Sequence, residues 1–144
     1  MLSSDELVAA VKLTDLDFSE VSARRREAGQ GPNSDSTHVD DSELSVTATR
    51  RPDRIEVLCS VDHTAADATY RVAVRGVFQA SEPFEVADDV MTGFVQQVGV
   101  MALYPFLREA VRDLSAKIGA QPALMDLIRP GQIHLGLQGK AGSN

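Results

Sequence analysis

Residues 55–78 read IEVLCSVDHTAADATYRVAVRGVF, and the spacing of their apolar side chains decides the fold class. Ile55, Val57, Cys59 and Val61, then Tyr70, Val72, Val74, Gly76 and Phe78, recur at every second position. Glu56, Ser60, Asp62, Arg71 and Arg75 fall between them. A period of two places successive side chains on opposite faces of an extended chain, so each half is a strand with one apolar face. The connector Thr64 to Asp67 is too short for a parallel crossover, which makes the pair antiparallel. Leu44, Val46 and Ala48, alternating with Ser45, Thr47 and Thr49, add a third strand through the tight link Arg51-Pro52-Asp53.

Further upstream, Leu7, Ala9, Val11 and Leu13 alternate, and Leu16 and Phe18 resume after a slip of one residue at Asp15. That reads as a first strand with a bulge. Residues 22–43 combine the run Arg24, Arg25, Arg26 with Gly29, Gly31, Pro32, Asn33 and several Ser and Asp, a composition expected to form a mobile crossing loop. Downstream of Pro83 the period changes. Val90, Phe94, Val98 and Met101 recur at helical spacing behind Asp88 and Asp89, whose charge suits a helix N-terminus. Pro105 lacks an amide donor and is expected to end or kink this helix and open another. That next helix carries Leu107, Val111, Leu114 and Ile118 on one face and stops at Gly119. Leu124, Leu127 and Ile128 suggest a short third helix, Ile133, Leu135 and Leu137 an apolar coda, and residues 136–144 a frayed tail. The expectation is one α+β domain over 1–144, a four-stranded antiparallel sheet followed by a long Pro-interrupted helical segment and a short C-terminal helix.

Composition narrows the functions. The 144 residues carry a net charge of −7 and 43% hydrophobic residues. That is enough apolar material for one core, and its charge repels phosphate, arguing against nucleic acid and anionic membranes as partners. The N-terminal stretch has no basic residue before Lys12 and is not read as a signal peptide, and no run approaches the roughly 18 apolar residues of a membrane span. A cytoplasmic protein is expected. Cys59 is the only cysteine; mid-strand, with no cation within two residues to lower its pKa, it reads as a packed thiol rather than a nucleophile. His38, His63 and His134 show no metal-ligand spacing, and no phosphate-binding glycine motif is present. No catalytic residue, metal or cofactor is therefore expected, and the chain is read as a non-enzyme. Arg24 to Arg26 read as a solvated face. Glu82, Glu85, Asp88 and Asp89 read either as helix-terminal charge or as a docking surface.

The stretch Leu103-Tyr104-Pro105-Phe106-Leu107-Arg108-Glu109 resembles a segment of the SecB export chaperone family, which reads Leu, aromatic, Pro, aromatic, small or apolar residue, Arg, Glu. Leu13-Thr14-Asp15-Leu16-Asp17-Phe18 is similar to the family's first strand with its bulged Asp, and Gly76-Val77-Phe78 to the end of its fourth. The resemblance extends to element order over most of the chain. It implies an ATP-independent holdase that binds unfolded polypeptide, assembled as a homotetramer, a dimer of dimers joined through sheet edges and long helices. Apolar candidates for client contact are Phe78, Phe84, Phe94, Tyr104, Phe106, Leu124, Leu127 and Ile128. Export members dock the SecA motor through acidic residues on the sheet. Here Asp15 matches and Glu20 is adjacent, but Ser19 and Arg71 occupy two of the acidic positions, so Asp15, Glu20 and Arg71 are the candidate docking residues. The reversed charge points away from SecA and toward the SecB-like proteins paired with toxin-antitoxin modules, whose client is an aggregation-prone antitoxin. The net charge favours basic clients.

Two other readings stay open on the residues alone. One is an oligomeric adaptor for a single protein partner; the other is a small-ligand-binding α+β protein with Tyr70 as its polar handle.

Overall fold

The computed structural model describes residues 1–26, 41–125 and 134–138. Helix α1 (Ser4–Ala10) leads into strand β1 (Val11–Arg25), followed by β2 (Asp41–Arg51), β3 (Arg54–Thr64) and β4 (Ala68–Ala80). Helix α2 (Asp88–Phe94), a π-helical turn (Val95–Gly99) and α3 (Val100–Lys117) run on without a break, and β5 (His134–Gln138) closes the described chain. The sheet order is β1-β4-β3-β2-β5, antiparallel throughout except that β5 lies parallel to β2. The four-stranded antiparallel sheet and the long helix behind it are as the periodicity requires.

Register turns alternation into a face. Leu44 faces Val61, Val46 faces Cys59 and Ala48 faces Val57; Cys59 faces Val74, and Val57 faces Gly76. These positions form one buried surface, and Met91, Phe94, Val95, Val100, Leu103, Leu107 and Val111 of the helix join its cluster. The two layers meet closely at Gly76, where a methyl group would stand 2.8 Å from Leu103 Cδ2. Only a glycine lets the helix sit that low on the sheet.

The N-terminal element corrects the expectation that the first strand begins at Leu7. Ser3 and Glu6 form a reciprocal capping box, Glu6 N–H donating to Ser3 Oγ and Ser3 N–H to Glu6 Oε1. This satisfies two otherwise unpaired helix-end donors and starts a helix. Leu7 and Val11 are buried while Ala9 between them is exposed, the i, i+4 spacing of a helix and not the alternation of a strand. Strand β1 then carries two irregularities, between Leu13 and Asp15 and between Phe18 and Glu20. The first falls within a residue of the expected bulge. The second, at Ser19, keeps Val21 on the side of Phe18.

The loop expected over 22–43 is shorter than its composition implied. Residues 22–25 continue β1 opposite Arg71 to Ala68, and residues 41–43 already belong to β2. Backbone pairing asks nothing of polar side chains, and Arg26 fastens the strand end through N–H to Asp67 O (2.8 Å) and Nη1 to Ala65 O (3.0 Å). The remainder of that loop lies outside the described residues.

Pro105 does not end the helix. The carbonyl deprived of its donor belongs to Met101, and both Met101 and Pro105 lie on the exposed side, where water replaces the missing bond. The helix does deviate earlier. Phe94 and Gly99, like Val95 and Val100, are five residues apart and all buried; a uniform α-helix would turn such pairs roughly 140° apart. The wide π turn returns them to the sheet side. Asp88–Lys117 spans 30 residues, by length and composition alone enough to cross a membrane, yet its apolar side is the one packed on the sheet. Gly119 at φ +70 ends it, with Ala120 N–H to Ser115 O and Gly119 N–H to Ala116 O closing the last turn.

Beyond the helix, Ala120–Met125 is irregular, and Ala123 and Met125 are buried; the helix expected around Leu127 and Ile128 lies outside the described residues. The apolar coda is strand β5, which pairs Ser45 to Thr49 with His134 to Gln138. Residues 136–138 are therefore ordered in the sheet rather than frayed.

Candidate functional site

Among the described residues, three surfaces bring exposed apolar side chains or grooves together. On the helix-facing side of β1, Leu13, Phe18 and Val21 stand opposite Phe78, Val74 and Val72 in register, yet remain 40%, 43% and 49% exposed. The helix covers β4 and β3 and leaves most of this row open. β1 is also a sheet edge, pairing only with β4.

The second surface is the strap Ser81–Ala87 between β4 and α2. Phe84 N–H donates to Pro52 O, Leu2 N–H to Glu85 O, and Arg50 Nη1 to Val86 O at 2.6 Å. Two grooves of about 830 and 850 Å³ flank this strap and share Met1, Pro83, Phe84 and Glu85. Phe84 is half-buried between them. Asp88 and Arg50 meet at 4.0 Å at one rim.

The third surface is a cleft of about 620 Å³ between α3 and the irregular segment after it. Met101, Tyr104, Pro105, Arg108, Glu109 and Arg112 of the helix and Leu124 of the returning segment line it. Ser115 holds the returning segment in place: its Oγ donates to Arg112 O and accepts from Ala123 N–H.

The apolar candidates divide among these places. Phe78 and Phe94 meet edge to face with ring centroids 5.3 Å apart inside the core, so they brace the fold instead of lining a groove. Phe84 lines the strap grooves, and Tyr104 and Leu124 line the cleft. Phe106, 41% exposed, lines neither the strap grooves nor the cleft. Leu127 and Ile128 lie outside the described residues. Leu13, Phe18, Val21 and Met101 were not singled out by sequence reasoning, although the slip at Asp15 marks where the first of them leave the core.

The opposite face of the sheet is charged but self-paired. Arg71 binds Asp62 through Nε–Oδ1 at 2.7 Å and Nη2–Oδ2 at 3.4 Å. That hydrogen bond, then the charges of Asp62 and Glu20, raise the guanidinium's pKa. Arg54 and Arg75 share Glu56 in the same way. Asp15 and Glu20 are exposed on β1.

Residues with possible chemistry stay apart. Cys59 is buried, and burial alone pushes its thiol up to about 12, far from the thiolate form. His63 is buried on the core face, where Nδ1 shares a hydrogen bond with Ser42 Oγ and its ring leans on Tyr70 at 5.9 Å. His38 lies outside the described residues. Among the described residues no three His, Cys, Asp or Glu side chains cluster to hold a metal ion.

This architecture has a solved counterpart. The SecB-like chaperone Rv1957 of Mycobacterium tuberculosis, in complex with a ChAD peptide from the Rv1956 HigA1 antitoxin, superposes with a TM-score of 0.70. The match covers 88% of this chain and 93% of that one at 19% identity. In sequence, the SecB-like chaperone SmegB of Mycolicibacterium smegmatis is 29% identical over 131 residues, 90% of this chain and 84% of that protein. The chain has the SecB-like fold. No family model matches it. The SecB-like order of sheet, strap and long helix means that the segment 103–109, which carried the resemblance, spans the middle of α3. Its Tyr104, Pro105, Arg108 and Glu109 all line the cleft.

Proposed function

We propose that this SecB-like protein is an ATP-independent holdase of the cytoplasm that captures unfolded polypeptide, its natural client being an aggregation-prone antitoxin. The observation that carries the reading is apolar surface held open on a rigid frame. Leu13, Phe18 and Val21 on β1, and Met101 and Leu124 (46% and 56% exposed) at the cleft, face solvent beside fully buried neighbours. Full burial of such a side chain is worth about 1.5–3 kcal/mol, and these, already about half covered, contribute roughly half of that each when a client covers them, before ordering costs. Many contacts of that size bind without demanding one sequence. No bond is made or broken in this mechanism, so no catalytic group is needed.

Assembly uses the strand's edge and leaves its face open. The fifteen-residue edge strand β1, with its unpaired backbone groups, favours pairing with a second copy, which removes the edge, forms a symmetric interface and keeps the apolar row on the face of the joined sheet. The homotetramer, a dimer of dimers, extends this through the helices. Phe84, Tyr104, Leu124 and Phe106 are the client-contact residues of the assembled protein.

The toxin-antitoxin role is favoured over SecA-dependent export because Arg71 is tied to Asp62 on the sheet face where acidic residues would be required. That the relative Rv1957 was solved with an antitoxin peptide supports the same choice. The test is competition among several unrelated unfolded proteins and an antitoxin-derived peptide, read by co-elution. A holdase binds most of them and the antitoxin best. Binding of one folded partner alone, and of no unfolded chain, would establish a single-partner adaptor instead.

A further inference from the structure

The cleft beside α3 differs from the strap grooves in the sign of its charge: Arg108 and Arg112 outnumber Glu109 there, whereas Glu85 and Asp88 balance Arg50 and Arg51 in one groove and Glu6, Glu82 and Glu85 outnumber Lys12 in the other. Arg108 and Arg112 are four residues apart and so lie on one side of the helix. Both line the cleft with Met101, Pro105 and Leu124. Elsewhere Arg50, Arg54, Arg71, Arg75 and Lys117 each reach a carboxylate. Among the described residues neither Arg108 nor Arg112 does. The Nε–H of Arg108 is buried with no acceptor, so part of this guanidinium is already stripped of water and gains more from an anionic partner at its remaining N–H groups than a solvated one would. Glu109 stands at the same rim and pairs with neither arginine, so the cleft keeps a net positive charge within a chain of net charge −7.

We infer that this cleft selects client segments in which an apolar side chain is flanked by a carboxylate. The apolar group sits against Met101, Pro105 and Leu124, and the carboxylate accepts from the guanidinium groups of Arg108 and Arg112. Such charge-assisted bonds at a partly buried site are stronger than exposed ones. The local field opposes the protein's overall charge: long-range attraction favours basic chains, while the cleft discriminates at contact. The inference rests on the holdase reading and names the client chemistry of one of its sites.

The test uses the full chain and three labelled peptides with the same apolar residues, flanked by Glu, Gln or Lys, with binding read by fluorescence anisotropy at low and high salt. At low salt the Glu peptide should bind about tenfold tighter than the Gln peptide, and the Lys peptide more weakly than either at this site. The preference should fall toward unity in Arg108→Gln/Arg112→Gln, survive in part in Arg108→Lys/Arg112→Lys, and rise in Glu109→Gln. Arg112 is exposed, so Arg112→Gln alone keeps the test decisive if the double variant fails to fold. Equal binding of the three peptides, a preference for Lys, or a Glu preference unchanged in the Gln variants would overturn the inference. So would loss of the preference only alongside a change in sedimentation, which would make this face an interface between copies. Failure of the holdase reading looks different: no peptide and no unfolded protein binds.

Discussion

The packing of Leu103 on Gly76 can be tested by a double-mutant cycle whose outcome the geometry specifies. A methyl group on Gly76 would lie 2.8 Å from Leu103 Cδ2 and 3.2 Å from Leu13 Cδ1. Leu103 is fully buried on the helix face pressed against the sheet, so its branch cannot swing into solvent. Gly76→Ala should therefore destabilise by about 1–3 kcal/mol through overpacking. Leu103→Ala removes the colliding atoms and leaves a cavity, at a cost of about 2–5 kcal/mol. Combined, the new methyl partly fills the vacated space, and the double variant should be more stable than the sum of the single effects by at least about 1 kcal/mol. The assay is urea unfolding at one fixed protein concentration, because assembly contributes to apparent stability. Additivity within about 0.5 kcal/mol, or a neutral Gly76→Ala, would refute the close approach of helix and sheet.

Acid sensitivity should trace in part to Glu56. Burial pushes its pKa up, but the hydrogen bond from Arg54 and the charges of Arg75 and Arg54 outweigh this and hold it below the usual carboxylate range. A depressed folded-state pKa contributes stability at neutral pH that is lost as pH falls through that value. Glu56→Gln should thus flatten the low-pH limb of a stability profile, and an unchanged limb would contradict it. Cys59, with its thiol raised to about 12 by burial, should resist a thiol reagent in the folded protein and react promptly after unfolding; rapid native labelling would show that the core opens. Pro105→Ala restores an amide donor opposite the exposed Met101 carbonyl and should raise stability by about 1–3 kcal/mol. A loss of stability would mean that the proline ring itself packs against something.

Much of the sheet was legible because alternation over Ile55 to Phe78 and Leu44 to Ala48 records burial on one face directly. The helix was legible from Val90, Phe94 and Met101. Misreadings arose where two rules compete. Leu7, Ala9, Val11 and Leu13 alternate like a strand, yet the capping box at Ser3 and Glu6 outweighs that pattern over a helix of seven residues. Polar residues 22–25 looked like loop because composition reports solvent exposure, and an edge strand can be exposed and still paired along one side. Pro105 looked like a break because the sequence does not say which side of a helix faces water. The candidate site was less legible for a related reason: Phe78 and Phe94 share the chemistry of Phe84 and Phe106, and only packing assigns the first two to the core. Arg108 and Arg112 carried a signal, two arginines four apart beside Met101 and Leu124, that apolar periodicity alone does not register.

The central claim is capture of unfolded chains by exposed apolar surface without a nucleotide. It is tested most directly by diluting a denatured, unrelated protein into buffer with and without this chain and following light scattering in the absence of ATP. The account predicts suppression at near-stoichiometric amounts, with client and chaperone co-eluting at the size of a loaded tetramer. Unchanged scattering from a properly folded, oligomeric preparation would contradict it.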